Sequence, residues 1–199
     1  MSVLSSLPYS GDDSCEENEK GLAVFYPFCR NDIDESGAAS GVTIDATNLA
    51  VTALTFKSGK YPVKIEFDED EAFFNQDQVE GKDYKFNQNF YFKRDGLSAT
   101  TRKILKGYGK QKCMSGVAID QNGKGWVCGL QYNDKTGLYS WKDKVNGAGT
   151  SNTNTVAGDE DAGYTRTFKW ENVKGDAIPL IPVGTGVTPT SYMESLLEP

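Results

Sequence analysis

Residues 113–132 read CMSGVAIDQNGKGWVCGLQY, and this stretch decides the fold class. Apolar and small residues alternate on both sides of Asn122-Gly123, a dipeptide that strongly favours a tight hairpin of two antiparallel β-strands. A two-residue turn at this dipeptide places Cys128 opposite Val117 and puts Trp126 on the same apolar face. The other face consists mostly of glycine and alanine, which indicates that another element packs closely against it. The pattern predicts a hairpin with Trp126 in the core.

Other segments alternate in the same way. Leu49–Lys57 and Lys60–Phe67 flank Ser58-Gly59 and predict a second hairpin, in which Leu54 lies opposite Val63. Because a period of two residues dominates so much of the chain, the protein is predicted to be mostly β. Further strands are predicted at 21–29, 83–93 and 163–172.

A single helix is predicted over Ser98–Tyr108. Ser98 is a favourable N-cap residue, and Gly107 and Gly109 are typical of a helix end. The apolar residues recur at helical spacing, which indicates packing against the core rather than a cofactor site. They are Leu97, Thr101, Ile104, Leu105 and Tyr108.

The 199 residues fit one domain with extensions. Residues 1–20 are polar and acidic and predict an arm without a core of its own. Residues 21–176 form the predicted β domain, which includes a long loop at 142–162 rich in Gly, Asn, Thr, Ser and Asp. Residues 177–199 contain four prolines and predict an extended tail, which could attach to a neighbouring copy.

The charge of the chain is unevenly distributed. The net charge of −7 argues against a broad basic surface for nucleic acid. Residues 1–71 hold 14 acidic and 5 basic side chains, a net charge of −9, whereas residues 82–144 hold 5 acidic and 13 basic, a net charge of +8. Two interpretations remain open: scattered surface charge, or a polar molecule whose acidic part meets the basic part of the next copy.

The sequence predicts a cytoplasmic protein. The first 13 residues lack the basic start and apolar stretch of a signal peptide. The longest apolar run, Leu22–Phe28, has the length of a strand and is far shorter than the roughly 20 residues of a membrane-spanning helix. No contact with a membrane is expected.

The four cysteines predict no disulfide that sequence alone can identify. In the two-residue hairpin Cys113 and Cys128 lie about 13 Å apart along the strands, beyond the roughly 7 Å that a disulfide allows between Cα atoms. Both are interpreted as small buried hydrophobic residues. The spacing leaves Cys15 and Cys29 undecided, and a zinc site is not expected because Cys-x-x-Cys pairs and histidine are missing.

No pattern in the chain is typical of catalysis, and no cofactor is predicted. The chain has no histidine, which excludes Ser-His-Asp and Cys-His schemes, and it contains no glycine-rich phosphate loop. Two acidic runs, Asp68–Glu71 and Asp159–Asp161, leave three interpretations: a solvated turn, an assembly or pore-lining surface, or a metal site. We therefore expect that the protein is not an enzyme.

The order of segments resembles small tail-tube-like virion proteins of tailed bacteriophages. The similarity covers residues 21–172: GLAVFYPF, then VTALTFKSGKYPVKIEF, then YKFNQNFYF, a short helix, VAIDQNGKGWVCG, and GYTRTFKW after a glycine-rich loop. Its most specific part is Asp120–Gly129. The resemblance implies a β-sandwich or partly closed barrel of antiparallel strands with one flanking helix.

The resemblance also implies a function in assembly. Six copies would form a ring, and stacked rings would form a tube through which DNA passes without specific binding. Other tail or connector proteins of the virion would be further partners, with assembly in the host cytoplasm. The arm before Gly21 and the loop Lys142–Asp161 would contact neighbouring rings, and Asp68–Glu71 would line the bore. The expected interface or bore residues are Asp68, Glu69, Asp70, Glu71, Lys142, Lys144, Asp159, Glu160 and Asp161.

Other functions remain open. The segment after Asp176 has no counterpart in the tail-tube pattern, which leaves a connector, a tail terminator or a capsid decoration protein. A carbohydrate-binding β-sandwich is the main alternative from another class, with an aromatic platform for sugar rings. Its aromatic residues would be Tyr61, Tyr91, Tyr139 and Trp141. A glycan-cleaving enzyme with paired carboxylates is a third hypothesis.

Overall fold

The structure is a computed structural model that describes residues 21–36, 41–68, 71–82, 85–94, 100, 103–104, 107, 112–133, 138–142, 145–146 and 164–199. A 3-10 turn lies at Arg30–Asp32 and an α-helix, α1, at Pro189–Ser195. The strands in this part of the chain are β1 (Leu22–Cys29), β2 (Val42–Asp45), β3 (Ala50–Leu54), β4 (Ile65–Glu66), β5 (Ala72–Gln78), β6 (Lys85–Arg94), β7 (Met114–Asp120), β8 (Gly125–Cys128), β9 (Leu130–Asn133), β10 (Leu138–Trp141), β11 (Val145–Asn146), β12 (Tyr164–Lys174) and β13 (Ile178–Leu180).

The strands form a β-sandwich with a helix on one outer side, so the prediction of a mostly β fold is confirmed. Seven strands form the larger sheet in the order β2-β3-β13-β8-β7-β1-β4, and four form the smaller sheet in the order β11-β12-β6-β5. Strands β9 and β10 pair separately as a hairpin. Every pairing is antiparallel except that of β13 with β3. The larger sheet is open, with β2 and β4 at its edges.

A first core fills the space between the two sheets. Trp170 is fully buried there, and its indole Nε1 donates a hydrogen bond to the Met114 carbonyl at 2.9 Å. The ring lies against Gly129, where a Cβ atom would come within 2.6 Å of the indole. The buried members of this core are Leu22, Phe25, Ile65, Phe67, Ala72, Phe90, Phe92, Met114, Ala118, Cys128, Phe168, Trp170 and Val173.

A second core covers the opposite face of the larger sheet. Strand β1 contributes to both cores, since Phe25 faces the smaller sheet while Tyr26 and Phe28 face away from it. This double burial explains why residues 22–29 are almost continuously apolar. The buried members of the second core are Val24, Tyr26, Phe28, Ile33, Val42, Val51, Leu54, Val117, Ile119, Val127, Leu130, Trp141, Ile178, Leu180 and Met193.

The predicted hairpin forms between β7 and β8 only, since β9 pairs with β10 instead, and its predicted register is wrong by one residue. Ala118 pairs with Trp126, and Val117 pairs with Val127. The turn has three residues instead of two, because the amide of Asp120 donates to the Lys124 carbonyl at 2.9 Å and Gly123 adopts φ +79°. A glycine in this left-handed conformation is typical of a three-residue hairpin loop. The shift moves Val127 into the second core and leaves Trp126 only half-buried.

The hairpin predicted at Ser58-Gly59 does not form. The turn itself is present, since the Lys60 amide donates to the Lys57 carbonyl at 3.0 Å, but the flanking segments separate. Strand β3 pairs with β2 and β13, whereas Ile65 in β4 pairs with Phe25 in β1. Long-range pairing therefore prevails over the local turn, because it buries apolar residues on both faces of the larger sheet.

The predicted helix over Ser98–Tyr108 falls mostly outside the residues that the structure describes. Of that segment it describes only residues 100, 103, 104 and 107, and all four are helical. The polar arm 1–20 and residues 147–162 of the predicted long loop also lie outside the described ranges. The loop begins within the fold, however, because β11 at Val145–Asn146 pairs with β12.

The C-terminal segment is not the extended tail that the sequence predicts. Strand β13 is inserted in the larger sheet between β3 and β8, and α1 packs on the second core through the fully buried Met193. Thr188 and Ser191 form a capping box at the start of the helix, with Pro189 in its first turn. Pro189 thus stands where a helix needs no amide donor, so it is compatible with a folded segment.

A disulfide joins Cys29 and Cys113, which corrects the interpretation of Cys113 as a free buried residue. Their Cα atoms are 5.0 Å apart, because β1 and β7 are neighbours in the larger sheet. The two cysteines are 84 residues apart in sequence, so no local pattern indicates that their strands are neighbours. Cys128 is a buried free cysteine, as predicted, and Cys15 lies outside the described residues.

We expect Tyr192→Phe to lower the free energy of unfolding by about 1–2 kcal/mol, the usual cost of removing a buried hydrogen-bond partner. The Tyr192 hydroxyl accepts from the Leu54 amide at 2.6 Å and donates to the Leu54 carbonyl at 3.3 Å, so it links α1 to β3. Urea unfolding measures the change. Tyr61→Phe is the matched control, because Tyr61 is 38% exposed. Equal, negligible losses in both variants would contradict the docking of α1.

Candidate interaction surfaces

Asp68 and Glu71, the described ends of the acidic run, lie between β4 of the larger sheet and β5 of the smaller sheet. The Asp68 amide donates to Glu71 Oε2 at 3.0 Å, and the Glu71 amide donates to the Asp68 carbonyl at 3.2 Å. Asp68 is exposed and Glu71 is partly exposed, while Glu69 and Asp70 lie outside the described residues. The hydrogen bonds between Asp68 and Glu71 show a structural role for both residues within their own chain. Their assignment to the bore of a tube stays a prediction.

Lys142 binds within its own chain. Its amide donates to the Gly129 carbonyl at 2.8 Å, and its Nζ donates to the Asn172 carbonyl at 3.2 Å. The Arg30 guanidinium also donates to the Lys142 carbonyl. These contacts hold the start of the predicted loop against the fold. Lys144, Asp159, Glu160 and Asp161 lie outside the residues that the structure describes, so their place at an interface stays a prediction.

A polar cleft of about 530 Å³ lies beside the end of β1. At this cleft Lys57 Nζ donates a hydrogen bond to the Asn31 carbonyl at 2.6 Å. The lysine ammonium group is therefore bound by the backbone of its own chain. Trp141 is only 6% exposed, since it packs edge-on against Phe28 with ring centroids 5.7 Å apart. The lining residues are Arg30, Asn31, Ile33, Glu35, Lys57, Tyr139, Ser140 and Trp141.

The four aromatic rings proposed as a sugar platform are divided within the fold. Tyr139 and Trp141 lie on β10 beside the polar cleft, and Tyr139 packs on Tyr132 with centroids 4.9 Å apart. Tyr91 lies on β6 in the smaller sheet, where its ring stacks with Phe73 at 6.3 Å. Tyr61 is exposed outside the strands. A different pair, Phe73 and Tyr91, is therefore the aromatic feature on an open sheet face.

Two carboxylates have lowered pKa values because they accept hydrogen bonds from residues that follow closely in the sequence. Hydrogen bonds from Ser36 lower the pKa of Asp34, and the Thr47 amide lowers the pKa of Asp45. Asp34 accepts from the Ser36 amide in the segment after β1, and Asp45 accepts from the Thr47 amide in the turn after β2. Burial raises the pKa of the Cys128 thiol far above its usual range, which disfavours the nucleophilic thiolate. None of these shifts belongs to a paired acid and base.

An apolar surface that the sequence did not predict surrounds Trp126. It borders a cleft of about 350 Å³ between residues 123–126, at the start of β8, and the segment that precedes α1. Ile181 is 52% exposed, Val183 is 80% exposed and Val187 is 38% exposed. We call Trp126, Ile181 and Val187, which line this cleft, the Trp126 surface. Apolar residues in a segment rich in glycine and proline have no periodicity, so pattern analysis gave no sign of it.

A second cleft of about 670 Å³ lies on the other side of Trp126. We call it the β5 cleft. It is lined by residues 73–76 of β5, by Gly21 and Leu22 at the start of β1, and by Asp120, Trp126, Asp176 and Ala177. The Gln76 side chain links β5 to the segment that follows β12 at one end of this cleft. Its Oε1 accepts from the Ala177 amide at 2.7 Å, and its Nε2 donates to the Asp176 carboxylate at 3.0 Å.

Within the described residues, no group of three or more His, Cys, Asp or Glu side chains is arranged to hold a metal ion. The same part of the chain contains no helix with the length and apolar character needed to cross a membrane.

Comparison with known proteins adds no relative. No family model matches the chain, no curated protein is significantly similar to it, and no solved structure matches its fold.

Proposed function

We propose that this chain is a structural subunit that assembles with copies of itself, most specifically a tail-tube or tail-tube-like connector subunit of a bacteriophage virion. The Trp126 surface carries the proposal. Exposed apolar side chains that line one cleft are typical of a protein–protein interface, and a half-buried tryptophan is a favoured centre for one. Ile181 is 52% exposed and Val187 is 38% exposed at this surface.

The charge distribution supports stacking of copies. Residues 1–71 have a net charge of −9, and residues 82–144 have a net charge of +8. Complementary charge on two parts of one subunit favours a fixed orientation between neighbours. In the tube, acidic groups such as Asp68 and Glu71 would face DNA, because like charge lets the nucleic acid pass without binding. The ring would be hexameric, by the tail-tube resemblance.

The disulfide is consistent with a particle that leaves the cell. Disulfides rarely persist in a cytoplasm, where thiols are kept reduced. A virion subunit made in the host cytoplasm would assemble with Cys29 and Cys113 as thiols. The bond would then form after release, when the particle meets an oxidising environment.

A carbohydrate-binding module is the second candidate, on one observation. Phe73 and Tyr91 stack on the outer face of the smaller sheet, and Asn75 pairs with Asn89 in the next row. An aromatic pair beside amide side chains suits the stacking and hydrogen bonding of a sugar ring. A connector, tail terminator or decoration protein would also be a structural subunit and would be distinguished from a tube subunit by its partners.

The proposal is tested by the mass of the particle in solution. We expect the purified chain to form rings or tubes as its concentration rises, seen by light scattering after size exclusion and by electron microscopy. Ile181→Asp should leave a folded monomer that fails to assemble, because it places a charge in the exposed Trp126 surface. Thr185→Asp, in the same loop, is the matched control for added charge.

A second variant tests the loop. Residues 147–161 are replaced by a short Gly-Ser turn, while Lys142–Asn146 are kept because β11 pairs with β12. Single rings that no longer stack into tubes, with retained folding, would support a contact between rings. A wild-type protein that stays monomeric at millimolar concentration and binds immobilised glycans would favour the carbohydrate-binding alternative.

A further inference from the structure

The β5 cleft is bounded by the edge of a strand. Four consecutive residues of β5, Phe73 to Gln76, line it. Successive side chains of a strand point to opposite faces of the sheet. A cleft that contacts all four positions must therefore lie along the edge of β5, where its backbone amides and carbonyls point outward.

This edge is unpaired by the residues that the structure describes. Strand β5 is the outermost strand of the smaller sheet and hydrogen-bonds only to β6 on its inner side. It is seven residues long, and Phe73 is 43% exposed. A long edge strand with an exposed aromatic side chain invites the addition of another strand, and natural proteins usually cover such an edge.

The chain itself supplies a candidate cover. Gly21, where the described chain begins, lines the β5 cleft, so residues 1–20 are attached at this place. Their sequence, MSVLSSLPYSGDDSCEENEK, has its apolar residues in the first nine positions and its acidic residues after them. Val3, Leu7 and Tyr9 fall on one side of an extended segment, opposite Leu4 and Pro8.

The linking residues are long enough for the segment to turn back. Tyr9 and Gly21 are 12 positions apart, which allows a span of up to about 40 Å. Strand β5 is only about 24 Å long at the usual rise per residue. The acidic residues between positions 12 and 19 favour an exposed connection, which leaves the apolar residues free to bind.

We propose that residues 3–9 of the same chain add to the outer edge of β5 as a further strand and place Val3, Leu7 and Tyr9 in the β5 cleft against Phe74 and Trp126. Main-chain hydrogen bonds give this mode of recognition its affinity, and alternate side chains give it specificity. Pro8 fits a strand at the edge of a sheet, since its missing amide then faces solvent. The inference concerns the monomer and does not rest on the proposed assembly.

Amide hydrogen exchange on the monomer tests the inference. In the full chain, the outward-pointing amides of β5 should exchange at least about tenfold more slowly than in a variant that lacks residues 2–9, because a paired edge must open before it exchanges. The amides of β2, at the edge of the larger sheet, serve as the internal reference and should not change. Leu7→Asp in the full chain should reproduce the deletion, and Ser6→Asp, on the opposite side of the extended segment, is the matched control for added charge.

A peptide of residues 1–10 gives the complementary result. Added to the shortened chain, it should restore the protection of β5 and reduce acrylamide quenching of the half-buried Trp126, while a peptide carrying Leu7→Asp should do neither. Equal exchange in the full and shortened chains would overturn the inference. Protection that appears only as the concentration rises would also overturn it, because the segment would then bind to a second copy instead of its own.

Discussion

Trp170→Ala is expected to lower the free energy of unfolding by about 3–5 kcal/mol, the usual cost of emptying the site of a large buried aromatic residue. Trp170 is fully buried between the sheets and donates its indole hydrogen to the Met114 carbonyl. The substitution removes the packing against Gly129 and leaves that carbonyl without its donor. Urea unfolding followed by circular dichroism measures the loss.

Trp126→Ala is the matched control. The sequence predicts the same large cost for this residue, but the register of the hairpin leaves it half-buried on the surface. We therefore expect a cost of about 1 kcal/mol, near the centre of the distribution for single substitutions. If Trp126→Ala destabilised the protein as strongly as Trp170→Ala, the three-residue turn and its register would be contradicted.

Removal of the Cys29–Cys113 disulfide is expected to cost about 2–5 kcal/mol, the usual effect of deleting a native disulfide. The bond closes a loop of 84 residues, and the restriction of the unfolded chain increases with loop length. At about 2–4 °C per kcal/mol for a chain of this size, the Tm of the Cys29→Ala/Cys113→Ala variant should fall by roughly 4–20 °C. Differential scanning calorimetry measures the shift.

A reducing agent provides the control for this prediction. It should lower the Tm of the wild-type protein towards that of the double variant and leave the variant itself unchanged, because Cys128 is a free thiol in both. Mass spectrometry after alkylation should find one disulfide in the oxidised protein. A wild-type Tm that does not respond to the reductant would contradict a stabilising bond.

The sequence predicts the strands better than it predicts their partners. Alternation of large apolar and small residues identifies the strand residues of β7 and β8, although β7 is buried on both of its faces. The register of this hairpin depends on whether Gly123 ends a two- or a three-residue turn, and Asn-Gly is compatible with both. The pairing of Ile65 with Phe25 depends on contacts between distant segments, which no local pattern records.

The candidate surfaces were harder to predict for a similar reason. The charges of Asp68 and Glu71 suggest a functional surface, yet the hydrogen bonds between these two residues are those of an ordinary turn. Ile181 and Val183 are apolar in a segment with no period, so the sequence cannot indicate whether they are buried or exposed. The edge of β5 is a property of sheet order, because β5 pairs with β6 on one side and with no described strand on the other, and no local sequence pattern records this.

The position of β13 also determines when the protein can complete its fold during synthesis. The larger sheet has β2 and β3 on one side of β13 and β8, β7, β1 and β4 on the other. Ribosomes deliver the chain from its amino end, so both groups emerge before the three residues that join them. Until Leu180 has left the exit tunnel, the nascent chain therefore holds two partial sheets with open edges at β3 and β8. Chaperones that shield such edges would act on this protein late in translation.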